Sequence, residues 1–151
     1  MNFDLRELEK ITMRIICVPE RLNEALERET SVQVNALLSD SAKDLAPVRT
    51  GTLRQMIDTD GFAYRTKDGV TMGITSHAHY SIYVEYGTGE LGDDAVPHTD
   101  RKSWAYKDED GKWRVGKPQP PNPYMRTALA QNVEPIRDII AGKAKEIIEY
   151  D

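Results

Sequence analysis

The chain has 151 residues, 39% of them apolar and 30% charged, with a formal net charge of -5. That balance describes one soluble globular domain, 1–151, and argues against a general nucleic-acid binder, which would carry a basic surplus. Cys17 is the single cysteine, so no internal disulfide forms, and no apolar run is long enough for a membrane span or a signal peptide, which points to folding in a cytoplasm.

Residues 1–46 read as two helices. Asp4 and Glu7 resemble a capping box, and Leu5, Leu8, Ile11 and Ile15 follow at steps of three or four. Pro19 suits the first turn of a second helix, whose stripe runs through Leu22, Leu26, Thr30, Val34, Leu37, Ser41 and Leu45. Pro47 lacks an amide proton and stops that helix. Thr50-Gly51 then supplies a turn or cap for one short helical turn carrying Leu53, Met56 and Ile57. Arg49 and Arg54 flank this turn.

Beyond Gly61 the period changes. Phe62, Tyr64 and Thr66 alternate, as do Val70, Met72 and Ile74, and Asp68-Gly69 between them predicts a hairpin. Residues 80–86 fit helical and strand periods equally well, and Gly87-Thr88-Gly89 ends them. Residues 88–101 hold two glycines, several acids and little apolar content, which predicts a mobile loop. A second hairpin spans Ser103–Val115, turning at Asp110-Gly111 or across 108–111. Either register puts Trp104, Tyr106, Trp113 and Val115 on one face and Lys107, Lys112 and Arg114 on the other. After a proline-rich linker, Asn122 is expected to cap a helix with Pro123 at its first position. Met125, Leu129, Val133, Ile136, Ile140 and Ile147 mark its inner face, and Pro135 should kink or restart it.

Three constellations invite a chemical reading. His77 and His79, with Glu85 or His98, have the residue types of a metal-dependent hydrolase, although zinc needs three or four convergent ligands. Ser76 and Ser81 near histidines lack any nucleophile elbow. The tryptophan hairpin offers rings for stacking on single-stranded bases, but packing on the domain or a neighbouring subunit is the preferred reading, since a lone hairpin needs a surface to bury against. None forms a complete catalytic, metal or cofactor set.

Three blocks carry a resemblance. Ala42–Arg54 (AKDLAPVRTGTLR), His79–Gly89 (HYSIYVEYGTG) and Pro118–Leu129 (PQPPNPYMRTAL) occur in the order and spacing of the phage head–tail joining, or tail-completion, proteins. Ser81 replaces a usual alanine, Tyr86 and Tyr124 replace phenylalanines, Thr127 replaces a proline, and Asn122 is inserted among the prolines. The resemblance implies an α+β fold: a curved antiparallel sheet packed by a long N-terminal helix and a C-terminal helix over 122–150, with a loop and hairpin inserted at 87–118. It implies structural roles for Pro47, Arg49, Thr50, Gly51, Leu53, Tyr83, Val84, Glu85, Tyr86, Gly87, Thr88, Pro123, Met125 and Arg126. Val84, Tyr86, Met125 and Leu129 are expected to share a core. It further implies a non-enzymatic virion protein without cofactor or metal, assembled in the host cytoplasm into a ring, as a hexamer, between tail tube and head connector. DNA would pass through without specific binding, and no membrane is involved. Trp104, Tyr106, Lys107, Lys112, Trp113 and Arg114 are the candidate subunit interface, facing the acidic N-terminal helices of a neighbour.

Overall fold

The computed structural model describes residues 19–108 and 110–149. The helix expected on Leu5, Leu8, Ile11 and Ile15 lies outside them. The order is α1 (19–25), a π-helical turn at Leu26–Thr30, α2 (Ser31–Leu45), α3 (Thr52–Gln55), β1 (Phe62–Thr66), β2 (Gly69–Gly73), α4 (Ser81–Tyr86), a 3₁₀ turn at Gly89–Leu91, β3 (Trp104–Lys107), β4 (Trp113–Gly116), α5 (Tyr124–Gln131) and α6 (Val133–Glu149). The class is α+β. Among the described residues the strands form two separate antiparallel hairpins, β1-β2 and β3-β4, where the resemblance implies one curved sheet. The segment at 80–86, open to either reading, is helix α4 and so supplies no further strand.

The described residues group into two compact units, one of 19–40, 58–75 and 131–149, the other of 41–57 and 76–130. In the first, the π-helical turn explains a row spaced by fours. Leu22, Leu26, Thr30 and Val34 would drift off one face of a straight α-helix at 3.6 residues per turn. The wider π turn accommodates an extra residue and keeps them together, with Leu22 and Leu26 half-buried and Thr30 and Val34 buried. The Ser31 amide donates to the Leu26 carbonyl, five residues back. Its hydroxyl donates to the Glu27 carbonyl at 2.7 Å, the acceptor a regular helix would have given to the amide. After Val34 the buried positions are Asn35, Leu38, Ser39 and Ala42, while Leu37, Ser41 and Leu45 are only half-buried.

The hairpin β1-β2 packs on this π turn. Its connection is Lys67-Asp68, since Thr66 pairs with Gly69; the expected Asp68-Gly69 turn differs by two in register, so the alternation survives. Ala63, Val70 and Met72 are half-buried, while Phe62 and Tyr64 stack outward with centroids 5.9 Å apart. Arg65 reaches back to Glu20 and to Glu27, the latter at 2.8 Å. The Asn35 amide donates to the carbonyls of Asp60 and Phe62 at 3.0 and 3.2 Å, clamping the strand entry from the helix. Gly61 sits between them at φ +64°, and a Cβ there would lie 2.3 Å from the Gly73 carbonyl oxygen and 2.6 Å from Asn35 Nδ2. Helix α6 also packs on the π turn. Val133, Ile136, Ile140 and Ile147 are half-buried in the expected stripe, and Lys143 Nζ meets Glu29 at 2.6 Å. Pro135 falls in the first turn of α6, which restarts after the break at Asn132.

The second unit is built around Ala42, Ala46, Leu53, Ile57, Ala78, Tyr124 and Ala128, all buried. The Ala46 amide makes a last helical bond to Ala42 before Pro47. Gly51, at φ +81°, opens α3, and Leu53 and Ile57 point inward while Met56 is exposed. On α5 the inward residues are Tyr124 and Ala128. The expected core of Val84, Tyr86, Met125 and Leu129 is therefore corrected: Leu129 is exposed and the other three are half-buried.

Gly61→Ala should destabilise the protein by about 2–4 kcal/mol, from a left-handed backbone combined with a clash against a carbonyl. Gly142→Ala, in α6 where a Cβ meets open space, should stabilise it by about 0.5–1 kcal/mol. Urea unfolding of the two variants beside the wild type checks both signs.

Candidate functional site

The second and third sequence blocks meet at one buried carboxylate. Glu85 lies near the end of α4 and is 5% exposed. Its Oε2 accepts from the Met125 amide at 2.9 Å, and its Oε1 accepts from the Arg126 amide and from Arg126 Nε, both at 3.0 Å. These amides open α5, where donors have no partner inside the helix and the helix dipole favours a negative charge. Asn122 was the expected cap. Its side chain does not perform that role; its amide donates to the Val84 carbonyl at 2.8 Å, holding the proline segment beside α4. Glu85, remote in sequence, caps α5 instead and fixes which of its residues turn inward.

Arg126 closes the arrangement. Its second guanidinium nitrogen donates to the Glu85 carbonyl at 3.2 Å and to Asp93 Oδ2 at 3.0 Å, and the guanidinium lies 4.4 Å from the centroid of the Tyr86 ring. The Ala95 amide and the Arg126 guanidinium hold the Asp93 carboxyl below its usual range, and Asp93 in turn raises Arg126. Burial pushes the Tyr124 phenol up. Asp93 was absent from the sequence-derived set, because nothing in an irregular acidic loop marks which acid will face an arginine 33 residues away. Through Asp93, whose amide also donates to the Tyr86 carbonyl at 2.7 Å, the start of that loop is tied down. Gly87, at φ +73°, lets the chain pass close to the prolines: a Cβ there would lie 2.6 Å from the Gln119 carbonyl oxygen. Thr88 and Gln119 exchange backbone bonds of 2.9 and 3.3 Å. Tyr83, by contrast, is exposed, and Pro123 supplies the first acceptor of α5, to the Thr127 amide at 3.0 Å.

The first block adds one wall of an open groove of about 780 Å³. Pro47, Thr50, Gly51 and Leu53 line it together with Val84, Pro120 and Pro121. Arg49 is the only formally charged side chain in its lining.

The hairpin overturns the expected division into aromatic and basic faces. Trp104 pairs with Gly116, Tyr106 with Arg114, and Lys107 with Trp113. Directly paired residues share a face, so Trp104, Tyr106 and Arg114 lie on one side and Lys107, Trp113 and Val115 on the other. The cause is a loop of 108–112, whose register differs by one residue from both expected turns and flips one strand. Asp108 builds that loop. Its Oδ1 accepts from the amides of Asp110 and Lys112 at 3.1 and 2.9 Å, and its Oδ2 from Arg114 Nε at 2.8 Å. The Arg114 bond leads in holding the Asp108 carboxyl below its usual range. Trp104 covers Gly116, where a Cβ would come within 2.5 Å of the indole. Trp113 is 70% exposed, with Lys107 Nζ 5.2 Å from its ring centroid.

The histidines do not converge with Glu85, whose oxygens are committed to α5 and Arg126. His77 and His79 are exposed, and His98 lies 3.8 Å from Asp94. No group of three metal-ligating side chains occurs among the described residues.

Residues 18–87 match the HK97-gp10-like family. The family is described as "Bacteriophage HK97-gp10, putative tail-component", and it is the one the sequence blocks resemble. The match takes in the first block and all of the second except Thr88 and Gly89. The third block lies beyond it, joined to the matched segment through Glu85. No curated protein and no solved structure matches the chain. The match covers 70 of the chain's 151 residues.

Glu85→Ala should cost about 2–4 kcal/mol, less than fully orphaning a buried pair because Arg126 keeps contact with solvent. Hydrogen exchange at the Met125 and Arg126 amides should accelerate in the same variant. Asp93→Asn gives a pH test. A depressed carboxyl contributes stability above its unfolded pKa and loses it as pH falls through the folded value. The melting-temperature gap between wild type and Asp93→Asn should therefore be open at pH 7 and shrink below about pH 4.

Proposed function

We propose that this protein completes the tail of a long-tailed phage or prophage, forming a closed hexameric ring at the head-proximal end and joining tail tube to head connector. The observation that carries the reading is the tail-component match over 18–87. The way the third block docks on that segment through Glu85 supports it, since all three blocks then build one structural unit. The protein works without catalysis, assembles in the host cytoplasm and remains in the virion neck. A net charge of -5 suits a channel through which DNA must slide without adhering.

A ring contact is heterologous and needs two different patches on each subunit. The outer face of the second hairpin supplies one, with Trp113 and Val115 exposed beside Lys107. Tryptophan is enriched among the few residues that carry most of an interface's binding energy. The tryptophans stand on opposite faces, so they do not form a common stacking platform for bases.

The test is to reconstitute the neck from purified tail tubes, connector and this protein, and to image it. Trp113→Ser should leave the melting temperature unchanged while reducing ring incorporation at least ~10-fold. Rings that form equally well with Trp113→Ser would remove the hairpin from the interface. Absence of the protein from virions would remove the function.

A further inference from the structure

We propose that the open groove receives the Glu90–Asp94 turn of a second copy of this chain. The inference rests on the ring reading and names a contact within it. The groove has walls of proline, leucine and valine and a single charge, Arg49, which has no ion-pair partner among the described residues. A groove of this character selects an apolar side chain accompanied by a carboxylate.

The same unit presents such a group. Leu91 is 48% exposed at the 3₁₀ turn. The Asp94 side chain is fully exposed, its ion-pair contact being His98 at 3.8 Å. The turn between them is held in shape: Gly92 donates to the Gly89 carbonyl at 3.0 Å, and Asp93 is fixed by the Tyr86 carbonyl and by Arg126. Leu91 and Asp94 are therefore offered on a rigid support, which lowers the ordering cost of binding. Groove and turn are different patches, complementary in charge and in apolar character. A contact between them is head-to-tail and propagates around a ring. One leucine and one exposed ion pair make a weak contact, in keeping with a subunit that closes its ring on a template.

The test is sedimentation of the full chain over a wide concentration range at low salt, for wild type, Arg49→Glu, Asp94→Arg and the double variant, with template-driven ring assembly measured on each. The wild type should self-associate, each single variant should weaken association at least ~10-fold, and the double variant should recover it. Thr50→Cys protein mixed with Leu91→Cys protein, both in a Cys17→Ser background, should give an oxidised heterodimer that neither gives alone. Association unchanged by the single variants, or no association and no mixed cross-link, overturns the proposal. If rings still assemble normally with either charge reversed, the ring stands and the groove is no part of it. If no variant, wild type included, enters a ring, the ring reading itself fails.

Discussion

The second compact unit depends on one carboxylate placed where two helices need it. A helix of eight residues such as α5 has too few internal bonds to hold itself in water. Its first amides need an acceptor, and its orientation needs an anchor. Glu85 provides both, and Arg126 prevents the buried charge from standing alone. The same guanidinium also binds Asp93 and covers Tyr86, so α4, α5 and the base of the acidic loop are fixed by a single cluster. The Val-Glu-Tyr-Gly and Pro-Tyr-Met-Arg strings are thus two halves of one device. The glutamate needs an amide pair, the glycine needs room for close approach, and the arginine needs the glutamate.

This cluster ties two helices and a loop together. Its charges are mutually satisfied, so they fix shape and leave little to bind a substrate. Groups exposed outside the cluster include Arg49 in the groove, Trp113 and Val115 on the hairpin, and Leu91 and Asp94 on the turn. In the proposed ring, these are the groups that subunit contacts would use.

In the first unit the comparable constraint is backbone geometry. The π-helical turn brings the early part of the long helix into phase with Val34, and Ser31 satisfies the carbonyl that this geometry frees. Asn35 then holds the entry to β1, and Gly61 is the residue that allows the approach. Each is a polar or small residue in a stripe otherwise read by its apolar members.

Local chemistry was enough to determine much of this from sequence. The stop at Pro47, the cap at Gly51, the hairpin at 62–73, the split around Pro135 and the two-hairpin content follow from missing donors, permissive φ angles and period-two alternation, which act over a few residues. The resemblance to a family was legible because its blocks are strings. Tertiary structure alone decided the rest. The register of the second hairpin turned on one extra loop residue held by Asp108, and that reversed the placement of Trp113. The cap of α5 came from a side chain 40 residues away, and with it the inward face moved from Met125 and Leu129 to Tyr124 and Ala128. A carboxylate in a sequence shows its charge but not the helix it will end; that depends on which segments the fold brings together.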